Sequence, residues 1–184
     1  MNKFIILNVS CVKNRDKSQA QKETWGKDVP KTIRHFTVEG GYENDQIVDG
    51  TLQLNVPDDY PHFINKVFSA YKYILQFNDW DYVIKADDDV YIDVYKLLEY
   101  EPEKGYDGFG ILWDKKHISG PVYILSRKAV ELLVNVGIDD SLKPDTWSFV
   151  HEDYCITETS YKHGMKIYDS YGKMFVTYNV NASY

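Results

Sequence analysis

Residues 81–93, DYVIKADDDVYID, do most to limit what this chain can fold into. Tyr82-Val83-Ile84 is a short apolar run rich in residues that favour extended backbone, and it reads as a buried strand. Three adjacent carboxylates follow, Asp87, Asp88 and Asp89, and apolar residues return at once with Val90, Tyr91 and Ile92. Adjacent acids repel one another, and burying even one without a partner is costly. A divalent cation at the strand end removes that penalty, since Mg²⁺ or Mn²⁺ takes carboxylate and water oxygens and shares its shell with substrate phosphates. The plainer alternative is a solvated acidic turn. A calcium loop of the EF-hand type fits badly, because the alternation of acids breaks at Tyr91 and Ile92 stands where glycine is required.

With 184 residues, 43% of them hydrophobic and 15% aromatic, the chain reads as one globular domain with a real core. A net charge of -7 argues against nucleic acid as partner but leaves room for a nucleotide held through a metal. Cys11 and Cys155 build neither a disulfide framework nor a zinc site, though a single bridge between them stays open. The apolar run 4–9 is too short for a membrane span or a signal sequence, so the chain reads as soluble. The sequons at Asn8 and Asn181 are weak patterns, the first in a strand expected to be buried.

Along the chain, 3–10 reads as a fully buried strand. A helix capped by Asp16 or Ser18 runs to about Trp25, with Gly26 as its stop. Strands are predicted over 32–38 and 51–56, and the clearest helix over 61–77, where Phe63, Val67, Ala70, Ile74 and Phe77 form an apolar stripe. After the acidic strand come a short helix over 94–100, strands over 106–112 and 121–126, and a helix over 127–136. A loop-like stretch over 137–149, a helix over 152–163 and strands near 166–168 and 175–178 complete the chain. Gly40-Gly41 lacks the following helix and Lys-Ser/Thr of a phosphate loop. Strands alternating with helices imply an α/β fold: a mostly parallel, twisted, Rossmann-like sheet flanked by helices in a single domain. Ligand sites in such sheets lie at the strand C-termini, where Asp87 sits.

Five stretches, in order, resemble the Fringe and β-1,3-galactosyltransferase group of glycosyltransferases. They are AQKETWG (20–26), DDYPHFINK (58–66), KADDDV (85–90), SGPVYILS (119–126) and HEDYCI (151–156). The resemblance implies a GT-A fold and a catalytic domain over 1–184. It implies a metal-dependent transferase that moves a sugar from a nucleotide diphosphate sugar, uridine-linked, to a hydroxyl of a glycan or glycoprotein acceptor with inversion. The sequence departs from the family where Gln21-Lys22 replaces Ile-Arg and Pro121-Val122 replaces glycines, and no His follows His163 to supply a further metal ligand. Members of the family carry a membrane anchor and more cysteines, so the chain resembles a compact viral or microbial relative, cytoplasmic or in host cytoplasm. The alternative is an excised luminal Golgi-type catalytic domain.

Glycosyl transfer develops negative charge on the leaving diphosphate, and a cation bridging it acts as a Lewis acid there. Asp89 is the candidate main ligand of Mn²⁺ or Mg²⁺, with Asp87 as second contact and Asp88 on ribose or sugar. Lys85 is expected to point away from the triplet, with a nucleotide-side role implied by the resemblance, or to form an ordinary salt bridge. Inversion requires a general base, for which Asp153 is the candidate and Glu152 the rival; the plainer role of both is favourable charge at a helix start. The base of the nucleotide is expected near Ser10, Cys11 and Val12, with Arg15 on phosphate. Trp113 and Trp147 are candidates for stacking on sugar rings or for packing, while His117, His151 and His163 lack ligand spacing. Two other readings remain: a two-metal nucleotidyl- or phosphotransferase, and a sugar-nucleotide-binding domain without turnover.

Overall fold

The computed structural model describes residues 2–142 and 151–177. β1 (Phe4–Val9) is buried along its whole length, as an unbroken apolar run requires of a central parallel strand. α1 (Arg15–Glu23) begins upstream of Asp16 and Ser18. Asn14 holds the cap position without a side-chain cap bond, and its amide nitrogen donates to Asp88. β2 (Arg34–Glu39) runs parallel to β1.

The next two strands were legible only in part. β3 (Gln46–Val48) and β4 (Thr51–Gln53) form a hairpin around Asp49-Gly50, both at positive φ (49° and 74°). This is what a two-residue turn matching the strand twist needs. The sequence reading expected β4 alone. α2 (Phe63–Ile74) follows a single turn in which the Asp59 carboxylate accepts from the His62 N–H at 3.0 Å. β5 (Tyr82–Asp87) carries the first acid, β6 (Tyr91–Ile92) follows, and α3 (Val94–Glu99) is capped by Asp93. β7 (Gly108–Leu112), β8 (Ile118–Ser126) and α4 (Arg127–Val136) come next, with Ser126 capping α4 and Gly137 ending it at φ 81°. α5 (Glu152–Lys162), β9 (Ile167–Asp169) and β10 (Val176–Thr177) close the described chain.

Eight strands form one sheet in the order β3-β4-β2-β1-β5-β8-β7-β9. Pairing is parallel from β4 through β5 and between β7 and β9, and antiparallel at β3, β8 and the β7–β8 pair. β6 and β10 make a separate two-stranded ribbon. One sheet face buries Leu7, Val38 and Val83 under α2, α4 and α5; the other buries Ile6, Ile84 and Phe109 under Trp25, Val94 and Leu97. Burying each such aliphatic side chain contributes about 1.5–3 kcal/mol. Cys11 and Cys155 are free thiols, so the open bridge does not form. Among the described residues no helix is long and apolar enough to cross a membrane.

His35 on β2 gives the fold a pH dependence. Its ring stacks on Trp25 at 4.9 Å, and its Nε2 is buried with no hydrogen-bond partner among the described residues. Burial, helped by the charge of Lys22, pushes its pKa down to about 4 from 6.5. The unfolded chain therefore takes up a proton that the folded chain refuses. The stability linked to His35 is complete above about pH 6.5 and is lost as pH falls toward 4. At about 1.4 kcal/mol per pH unit, the loss is about 3 kcal/mol. His35→Phe is expected to show that much less acid destabilisation in urea unfolding; an equal loss in both proteins would remove His35 from the account.

Candidate functional site

The C-terminal ends of β1, β2 and β5 meet at one edge of the sheet. Parallel register aligns Val9 with Asp87, so the residue after β1 faces the residue after β5. Ser10 Oγ donates to Asp88 Oδ2 at 2.9 Å, and the Asn14 amide donates to the same oxygen at 2.9 Å. Lys17 Nζ lies 3.3 Å from the other oxygen. Both Asp88 oxygens are thus engaged by the protein, and the middle acid fastens the acidic turn to the β1 loop and α1.

The backbone of the turn is gripped from α1. Gln21 Nε2 donates to the carbonyl of Asp87 at 3.1 Å and to that of Val90 at 2.8 Å, and Trp25 Nε1 donates to Val90 at 3.2 Å. Asn8 on β1 donates in turn to Gln21 Oε1, so the first sequon is a buried structural amide. Asp58 joins the neighbouring loops, accepting from Val12 N–H at 2.7 Å, from Gly40 N–H at 3.0 Å and from buried Lys66. Lys66 also donates to the Ser10 carbonyl at 2.7 Å. Gly40 is required there: a Cβ would stand 2.7 Å from the Val56 carbonyl.

Lys85 does not point away from the acids. Two residues apart on a pleated strand, Lys85 and Asp87 share a face. Lys85 Nζ donates to Asp87 Oδ1 at 2.6 Å and to the Gly120 carbonyl at 2.7 Å, and lies 3.0 Å from Glu152 Oε1. The last contact is an ion pair without hydrogen-bond alignment, since Glu152 Oε1 has no hydrogen-bond partner among the described residues. The ammonium, 1% exposed, also sits over the Phe63 and Tyr123 rings at 4.8 and 5.5 Å. Lys85 is therefore a buried counter-ion. Burial works against its charge, yet Asp87 and Glu152 hold its pKa well above the ordinary lysine value.

Glu152 and Asp153 open α5 on the far side of this lysine. Glu152 is buried, and burial raises its pKa, with the Asp153 charge adding to the effect. Asp153 is partly exposed and its carboxylate accepts from the Tyr154 N–H at 2.8 Å. Burial raises its pKa too. A Cβ at Gly120 would stand 2.9 Å from Asp153 Oδ2, so glycine makes room for the acid.

Burial pushes the Asp87 carboxyl up to about 7; Lys85 lowers it, while the Glu152 and Asp89 charges raise it further. Asp89 is exposed, and its carboxylate has no hydrogen bond or ion pair with the described residues. A divalent cation fits these two acids. Both offer hard oxygens, one is uncommitted, and burial raises the pKa of the other, so a cation there would favour its charged form. Among the described residues no three His, Cys, Asp or Glu side chains converge into a complete metal cage, so phosphate and water oxygens would fill the remaining positions.

The other expected residues divide. Cys11 is partly buried at the end of β1 beside Ser10. Arg15 makes two bonds to Glu39, at 3.1 and 2.8 Å, and one to the Tyr42 hydroxyl at 2.6 Å. His117 is structural, bonded to Asp114 and, at 2.8 Å, to Glu158. It lies between Trp113 (5.6 Å) and Tyr154 (4.8 Å), and Trp113 remains 63% exposed. Trp147 and Asn181 lie outside the described residues.

A mixed sheet with helices on both faces and acids at the C-terminal end of a central strand defines the GT-A fold. Solved glycosyltransferase structures share it. A glycosyltransferase involved in glycosylation of the major capsid of PBCV-1 superimposes with a TM-score of 0.58 at 12% identity, over 98% of this chain and 94% of its own. The galactosyltransferase LgtC, in complex with donor and acceptor sugar analogues, gives 0.56 at 12% identity over 91% and 73%. GlyE of Streptococcus pneumoniae TIGR4 gives 0.54 at 10% identity over 92% and 46%. At such identities the likeness is one of fold. The sequence matches no model of a known protein family.

Proposed function

We propose that the chain is a metal-dependent glycosyltransferase, moving a sugar from a uridine diphosphate sugar to a hydroxyl of a glycan or glycoprotein with inversion. One observation carries the reading. An uncommitted exposed carboxylate, Asp89, and one paired with a buried lysine, Asp87, end a central strand, while a second acidic pair, Glu152 and Asp153, stands across that lysine. The LgtC complex with donor and acceptor analogues supports a sugar donor and acceptor for the same fold.

Asp89, with Asp87, holds Mn²⁺ or Mg²⁺, which when bound supplies Lewis-acid stabilisation of the diphosphate. Ser10, Cys11 and the Val12 backbone line the nucleotide end, positioned by Asp58. Lys85 keeps Asp87 and Glu152 oriented and does not touch donor. Asp153 takes the proton from the acceptor hydroxyl; its raised pKa brings it closer to the operating pH, as a general base requires. Glu152, paired with Lys85, is the less available acid. Trp113 offers an exposed aromatic face for an acceptor ring, joined to Tyr154 and so to Asp153 through His117.

Calorimetric titration of nucleotide sugars with and without Mn²⁺ tests this. One uridine-linked sugar is expected to bind only with metal, and a supplied acceptor should release free UDP; pyrophosphate release would indicate nucleotidyl transfer instead. Asp89→Ala is expected to erase the metal-dependent gain, weakening donor binding about tenfold or more. Binding that ignores both Mn²⁺ and Asp89 would sink the proposal.

A further inference from the structure

A second pocket, of about 250 Å³, opens on the opposite face of the sheet from the Lys85–Asp87–Glu152 cluster. Its floor is β2 and β4 and its wall is α1. Strand alternation fixes the face. Thr37 and Glu39 alternate with Phe36 and Val38, which pack in the core beneath α2, whereas Lys85 lies against Phe63 and Tyr123 on that α2 side.

Two lining residues, Thr37 on the floor and Ser18 on the wall, carry buried hydroxyls without partners among the described residues. Thr37 Oγ1 and Ser18 Oγ, in residues 2% and 3% exposed, have no hydrogen bond with the described residues, although both residues line the pocket. A buried hydroxyl left unsatisfied costs about 1–3 kcal/mol, so two in the lining of one pocket call for a partner. Thr51 and Gln53 add further groups that both donate and accept.

The charges in the wall decide the chemistry. Arg15 is neutralised by the bidentate bond to Glu39, and Lys22 and Asp49 add one further charge of each sign to the lining. An anion would meet buried Glu39 and a cation would meet Arg15 and Lys22. Among the described lining residues the aromatic one, Tyr42, has its hydroxyl engaged by Glu39 and Arg15. The volume falls below the range of about 300–1,000 Å³ usual for drug-sized ligands. We propose that this pocket binds a small neutral polyhydroxylated ligand, one monosaccharide ring or a cyclic polyol of that size, independently of the nucleotide donor. Hydroxyls that donate and accept at once match Ser18 and Thr37, and neither charge in the wall then goes unmatched.

The test is a ¹H–¹⁵N titration of the full labelled chain with D-glucose, D-galactose, D-mannose and myo-inositol. Each hexose is repeated as its methyl glycoside, which separates a free sugar from the end of a glycan. Shifts are expected to gather at residues 18–22, 37–39 and 51–53 and to persist when UDP and Mn²⁺ are added. Thr37→Val, which keeps the shape, should weaken binding about fivefold, as expected for about 1 kcal/mol of hydrogen bonding. Ser18→Leu, which fills the space, should abolish it. The proposal is overturned if no probe shifts those amides, if both variants bind as the parent does, or if UDP with Mn²⁺ displaces the probe. None of these readings requires transfer, so failure of the donor assignment at Asp89 would leave this titration standing.

Discussion

Lys85→Met is expected to lower the free energy of unfolding by about 3–5 kcal/mol, the range for breaking a buried ion pair from one side. The ammonium is the only cation within ion-pair distance of Asp87 and Glu152 among the described residues. Methionine fills nearly the same volume, so a cavity does not explain the loss; two carboxylates left in a buried setting do. The ion triad need not be more stable than an apolar replacement of all its members, and that distinction gives the control. Lys85→Met combined with Glu152→Gln removes one stranded charge and should recover about 1–2 kcal/mol, a coupling of the size seen between contacting residues. Urea unfolding of the parent, both single variants and the double variant measures it. A loss below about 1 kcal/mol for Lys85→Met, with no recovery in the double variant, would show that the lysine does not hold these acids.

What could be read from the sequence depended on the range of the interaction. Unbroken apolar runs and strong periodicity are local, so β1 and β5 were legible, and α4 was read to the residue. The acidic strand end was legible for the same reason. β3 escaped because a three-residue exposed strand has little pattern, although Asp49-Gly50 is a strong hairpin signal that could have exposed it. β6 escaped because two residues make no periodicity at all. The site was harder. Lys85 was placed on the wrong face although the pleat alone puts residues 85 and 87 together. The grip of Gln21 on residues 87–90 joins parts of the chain 66 and 69 positions apart, beyond any local pattern. Its one signal was that glutamine stands where the resembled string has an apolar residue: an amide on a helix face turned inward must find partners. Arg15 carries a pairing that no local pattern announces. A guanidinium near a strand end suits phosphate, but Glu39 on the neighbouring strand offered a bidentate partner already in place.

Asp153→Asn is expected to leave donor binding within about twofold and to cut transfer by about 10²–10⁴, the usual contribution of a positioned general base. Asparagine preserves the volume beside Gly120 and, through its carbonyl oxygen, the bond from the Tyr154 N–H. What it removes is the capacity to take a proton. Asp153 could instead serve only as negative charge at the start of α5, and the two roles predict different losses. A helix-start charge is worth about 0.3–1 kcal/mol of stability and nothing in the chemical step. A base leaves stability almost unchanged and removes turnover. Glu152→Gln separates the rival. Because Glu152 is buried against Lys85, its substitution should disturb stability before transfer. Single-turnover rates and urea midpoints for both variants, with the donor that calorimetry identifies, assign the roles. Normal transfer by Asp153→Asn beside a silent but well-folded Glu152→Gln would exchange them. The acceptor hydroxyl would then have to reach past Asp153 to an acid already paired with a buried lysine. Glu152 at 7% side-chain exposure leaves little room for that approach, which is why Asp153 is the acid expected to matter.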